Sequence, residues 1–92
     1  MYNVLICDDD IAILNSIEIY LNMEGYKLFL ATNGREALKI TQENEIHCIV
    51  LDIMMPELDG LQTTLEIRKS KNIPIILLSA KSEDTDKITG LG

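Results

Sequence analysis

Four short apolar runs constrain this chain more than anything else in it. They are Val4–Cys7, YKLFLA at 26–31, IHCIVLD at 46–52 and IPIILLSA at 73–80. Runs of this length, apolar without alternation and rich in branched side chains, read as strands buried on both faces. The stretches between them have helical patterns. IAILNSIEIYLNMEG at 11–25 sets Ile11, Leu14, Ile17 and Leu21 at helical spacing, and Gly25 supplies the stop. NGREALKITQEN at 33–44 opens with Asn33 and, three residues on, Glu36, a capping-box pattern with Asn in place of Ser or Thr. IMMPELDG at 53–60 is a loop punctuated by Pro56 and Gly60. Asp59 with Gln62 then caps GLQTTLEIRKS at 60–70. KSEDTDKITGL at 81–91 starts a fourth helix, with Ser82 as cap and Glu83 and Asp84 near its positive end. The order is βαβαβαβα. Such alternation with short loops specifies an α/β domain with a parallel sheet and right-handed crossovers. The 92 residues hold one small domain.

In sheets of this kind, function collects at the carboxyl ends of the strands. The first strand runs into Asp8-Asp9-Asp10, the third ends on Asp52, and the fourth ends on Ser79-Ala80. Three carboxylates, Asp8, Asp9 and Asp52, and one hydroxyl are therefore expected at a single rim. Asp10 directly precedes Ile11, where the helix begins, so it reads as that helix's N-cap. Clustered carboxylates without His or Cys suit a hard, oxygen-seeking cation, and Mg²⁺ is the first choice. A metal-bound carboxylate beside a hydroxyl also suits phosphoryl transfer.

The net charge of −7 argues against nucleic acid or an anionic membrane as partners of this segment. Cys7 and Cys48 both lie inside apolar runs and lack zinc-like ligand spacing, so both read as buried, reduced thiols, which fits the cytoplasm. His47 adjoins Cys48, but that pair alone supplies too few ligands for a metal. The NVLIC run is too short for a signal peptide and has no basic lead. No apolar run approaches the roughly 20 residues that span a bilayer.

The segments LICDDD, VLDIMMPELDG and IPIILLSAK together resemble the receiver domain of two-component response regulators, over essentially all of the chain. The likeness is greatest to receivers attached to winged-helix DNA-binding domains, which implies transcription regulation as output. The resemblance implies a flavodoxin-like (CheY-like) doubly wound parallel sheet. It also implies that Asp52 accepts a phosphoryl group from a sensor histidine kinase. Asp9, Asp52 and the Met54 backbone carbonyl would bind Mg²⁺ directly, and Asp8 through water. Ser79 would hydrogen-bond the phosphoryl group and relay the switch. Pro56 and Gly60 would shape the adjoining loop. Such a module assists its own phosphorylation and dephosphorylation and has no independent turnover.

One departure is large. Receivers continue into a fifth strand, carrying a Lys that pairs with the phosphoryl group, and a fifth helix. This chain stops at TGLG, about 30 residues short of that five-unit order. The expectation is therefore a receiver over 1–92, truncated after the fourth helix, with strand order 2-1-3-4. Lys81 sits too close to Ser79 to be the strand-five Lys and reads as a solvated loop residue. Phosphorylation is expected to suffer more than Mg²⁺ binding. Strand four becomes an open edge, and one side of the first helix loses its cover. Self-association through strand four or the bared surface follows as an expectation.

Other readings stay open at this stage. A phosphohydrolase of the haloacid dehalogenase type also uses an Asp nucleophile and Mg²⁺, but it needs a second acid two residues on, where this chain has Met54. A flavin mononucleotide binder needs a phosphate-cradling loop after strand one, where this chain has three acids. A non-phosphorylated, dimerising interaction module would keep the fold and lose the chemistry.

Overall fold

The computed structural model describes residues 2–55 and 58–78. The fourth helix with its cap Ser82, and also Ser79, Lys81 and Pro56, lie outside the described residues. Within them the order is β1 (Asn3–Cys7), α1 (Ile11–Asn22), β2 (Lys27–Ala31), α2 (Gly34–Glu43), β3 (Cys48–Asp52), α3 (Gly60–Arg68) and β4 (Ile75–Leu78). The four strands form one parallel sheet in the order β2-β1-β3-β4. The flavodoxin-like, doubly wound reading therefore holds.

Side-chain alternation along the strands splits the core into two layers. Leu5, Cys7, Ile49 and Leu51 face one way and join Ala37 of α2 and Ile67 of α3. Val4 and Ile6 face the other way and meet Leu14 of α1, with Ile17, Leu21 and Val50 packed around them. Truncating Leu5 or Leu51, both fully buried, would cost about 2–5 kcal/mol.

Local chemistry sets the element ends. The Asp10 carboxylate accepts the Ala12 N–H at 3.0 Å and the Ile13 N–H at 3.4 Å, so it caps α1 as expected. Asp59 and Gln62 form a complete capping box on α3. At α2 only half of the expected box forms. Asn33 accepts the Glu36 N–H, but the Glu36 carboxylate turns back to the Thr32 N–H (2.7 Å) and hydroxyl (3.0 Å) instead of the Asn33 N–H. These bonds hold the Glu36 carboxyl below its ordinary range. β4 starts after Pro74, which has no N–H to give; its carbonyl accepts the Ile49 N–H at 3.0 Å.

Two burial expectations shift. Ile11 is 54% exposed, as the first residue of α1. Cys48 is half-buried where Cys7 is fully buried, because its face of the sheet is only partly covered. That face carries an open groove of about 340 Å³ between Leu21, Tyr26, Val50 and Ile76. No helix among the described residues is long and apolar enough to cross a membrane.

Candidate metal centre at the carboxyl rim

Parallel register brings the ends of the strands level. Cys7 pairs with Ala31 on one side and Leu51 on the other, and Asp52 pairs with Leu78. The residues just past Cys7 and those at Asp52 therefore open onto the same rim. One carboxylate oxygen each from Asp8, Asp9 and Asp52 lies within 4.8 Å of the others. Asp8 and Asp52 are buried and Asp9 is half-buried.

The backbone fixes these acids. The Asp8 N–H donates to the Ala31 carbonyl at 3.1 Å, continuing the β1–β2 ladder by one residue. The Asp8 carboxylate accepts the Asp10 N–H at 2.8 Å, which turns the chain into α1. Asp10 itself points into the helix end and away from the cluster, so the three consecutive acids divide into two ligand candidates and one cap. The Asp52 carboxylate accepts the Met54 N–H at 3.1 Å. The Ile53 N–H donates to the Leu78 carbonyl, and the Gly60 N–H donates to the Ile53 carbonyl, both at 2.9 Å. Gly60 has to lack a side chain. A Cβ there would stand 2.6 Å from the Ile53 Cα and closer still to the Asp52 carbonyl oxygen.

The donor set decides what fits. Three carboxylates at this spacing repel one another by roughly 3 kcal/mol per pair at an effective dielectric of 20. A hard divalent cation relieves that repulsion, and all-oxygen donors match Mg²⁺ rather than Zn²⁺ or copper. Cys7 lies beneath the acids but does not compete as a ligand. Burial first, then the charges of Asp8, Glu36, Asp52 and Asp9, push its thiol up to about 12, so it stays protonated.

His47 lies elsewhere, at the opposite end of β3. Its Nδ1 accepts the Asn3 N–H at 2.9 Å and its Nε2 is 3.5 Å from the Glu45 carboxylate. Met54 is 62% exposed. The contact of Cys7 with Met55 had no signal in the sequence beyond the apolar character of both residues.

The family model for the response regulator receiver domain matches residues 4–92. The transcriptional regulatory protein SrrA of Staphylococcus aureus is 41% identical over 87 residues, covering 95% of this chain. The chain spans 36% of the length of that relative. Among solved structures, chemotaxis protein CheY4 of Vibrio cholerae superposes with a TM-score of 0.84 at 31% identity, over 99% of this chain and 78% of that one. The response regulator TrrA, solved in complex with the histidine kinase ThkA, gives a TM-score of 0.82 at 40% identity, over 91% of this chain and 73% of that one. TrrA from Thermotoga maritima has also been solved with Mg²⁺ and BeF, at a TM-score of 0.77 and 27% identity, over 99% of this chain and 96% of that one. A parallel 2-1-3-4 sheet with its acids gathered at the carboxyl rim, and the family model's match over residues 4–92, place this chain in the response regulator receiver domain family.

Proposed function

We propose that this receiver takes a phosphoryl group on Asp52 from a sensor histidine kinase, with Mg²⁺, and passes the change on to a transcription-regulating output. The observation that carries this reading is the convergence of Asp8, Asp9 and Asp52 within 4.8 Å at one rim. Two structures of one relative support it: TrrA has been solved with a histidine kinase and, separately, with Mg²⁺ and BeF. SrrA, a transcriptional regulatory protein, supports the output.

Asp9, Asp52 and the Met54 carbonyl would hold the cation directly, with Asp8 acting through water. When bound, Mg²⁺ offsets negative charge on the phosphoryl oxygens. The Asp52 carboxylate attacks the phosphorus of a phosphohistidine. The O–P bond forms as the N–P bond breaks, and the imidazole leaves with its electron pair. The Met54 N–H on the other carboxylate oxygen keeps the attacking oxygen turned to the rim. Ser79 hydrogen-bonds the phosphoryl group once it is in place and relays the switch. Treating the chain with acetyl phosphate and Mg²⁺ adds the mass of one phosphoryl group, and Asp52→Asn abolishes that gain. A mass unchanged after treatment would remove the phosphoacceptor reading and leave a binding module.

The same reading extends to self-association. Ile76 is 53% and Leu77 38% exposed, and no charged residue lies within Ile75–Leu78. Among the described residues, no strand pairs with the outer edge of β4. An apolar strand edge of this kind is a template for another strand.

A further inference from the structure

Cys7 has no part in the chemistry above, yet it is fully buried directly beneath it. It is the last residue of β1, so its backbone leads straight into Asp8 and Asp9. Its side chain turns to the opposite loops. The sulfur lies 3.5 Å from the Met55 sulfur and 3.3 Å from the Asn33 carbonyl. Met55 is itself 8% exposed and follows Met54, whose N–H holds the Asp52 carboxylate. One small side chain thus links the strand that supplies two of the acids to the loop that orients the third.

We propose that Cys7 is a positioning residue for the cation site. Its contact with Met55 pins the loop after β3, which keeps the Met54 N–H on Asp52 and the three carboxylates at binding distance. This inference rests on the reading that Asp8, Asp9 and Asp52 bind a divalent cation. The physical need is preorganisation. Ligands hold a cation well only when their own rotamers are locked by the layer behind them. Asp52 is buried, so its carboxylate cannot recover a lost amide partner from bulk water at little cost. Cysteine suits the task by size. Alanine would leave a gap under Met55, and valine would fill it.

The test is Mg²⁺ titration of the 92-residue chain, followed by NMR at the Met54 amide. Cys7→Ala is expected to weaken Mg²⁺ binding about tenfold, the lower end of what lost outer-layer support costs, and to speed hydrogen exchange at the Met54 amide. Met55→Ala removes the same contact from the other side and carries the test if Cys7→Ala fails to fold. The double variant should bind no worse than the weaker single, because both remove one contact. Cys7→Val, which restores the wedge, should return affinity to within about twofold of the wild type, where the outer layer's lower-end cost is about tenfold. Wild-type affinity in Cys7→Ala or Met55→Ala, or losses that multiply in the double variant, would overturn the proposal. Asp52→Asn separates the two levels. If the unaltered chain does not bind Mg²⁺, or binds it equally with Asn at 52, the cation reading itself falls and this inference with it.

Discussion

Replacing Gly60 with alanine pits two physical effects of opposite sign against each other. Gly60 opens α3, where alanine is the better helix former by up to about 1 kcal/mol. Its φ is not in the left-handed region; Gly25, at φ 86°, is the only such glycine among the described residues. From propensity alone, Gly60→Ala should stabilise. Space says otherwise. The added methyl would meet the Asp52 carbonyl oxygen, the Ile53 Cα at 2.6 Å and the Asp52 carbonyl carbon at 2.9 Å. All three are backbone atoms of the strand end and cannot swing aside. Overpacking of this kind costs about 1–3 kcal/mol, and strand backbone puts the figure near about 3. Less the helix gain of about 1 kcal/mol, the net loss is about 2 kcal/mol. With a urea slope of about 1 kcal/mol/M for so small a domain, the midpoint should fall by about 2 M. The shift in α3 should also disturb the Gly60–Ile53 hydrogen bond of 2.9 Å and, through it, the setting of Asp52. Urea unfolding followed by circular dichroism measures this directly. A midpoint equal to or above that of the unaltered chain would refute the close-approach argument.

Four other outcomes follow from the same physics. Asp10→Ala removes the acceptor for two α1 amides and should cost about 1 kcal/mol of stability while leaving Mg²⁺ affinity unchanged; a thermal melt beside a cation titration checks both. Thiol labelling of the folded chain should modify half-buried Cys48 well before fully buried Cys7, and peptide mapping at early times that found Cys7 first would contradict the packing. The lowered Glu36 carboxyl adds stability that is fully present above the ordinary Glu pKa of about 4.3 and is lost as pH falls through the lowered folded value. Glu36→Gln should therefore flatten the acid limb of the stability curve, read by urea unfolding between neutral and acid pH. Ile76→Lys, which puts a charge on the β4 edge, should shift the sedimenting species toward monomer.

Much of the fold is legible in the sequence because its local rules agree with one another. Four branched apolar runs specify buried parallel strands, and Asp10 and Asp59 mark helix starts that the structure confirms. The rim cluster was also legible, since alternation alone brings the end of the first strand beside Asp52. What escaped depends on contacts between distant segments. Helical spacing groups Ile11 with Leu14, but only the packing of α1 shows that Leu14 is buried and Ile11 exposed. The Glu36 carboxylate had two backbone donors within reach, and the pattern could not show that Thr32 would win. Gly60 reads as loop punctuation in one dimension, whereas its real constraint is the Asp52 backbone pressed against it. Ile46 precedes β3 yet is buried in the core, so the strand's ladder starts later than its apolar run.

We propose that Asp52, among the acids at this rim, is the group that becomes phosphorylated. Treating the chain with Mg²⁺ and acetyl phosphate, then reducing with borohydride, converts an aspartyl phosphate to homoserine. Peptide fragmentation then reads the position residue by residue. Homoserine is expected at position 52, with aspartate unchanged at 8, 9 and 10. Homoserine at any of those three, or none anywhere after treatment, would contradict it.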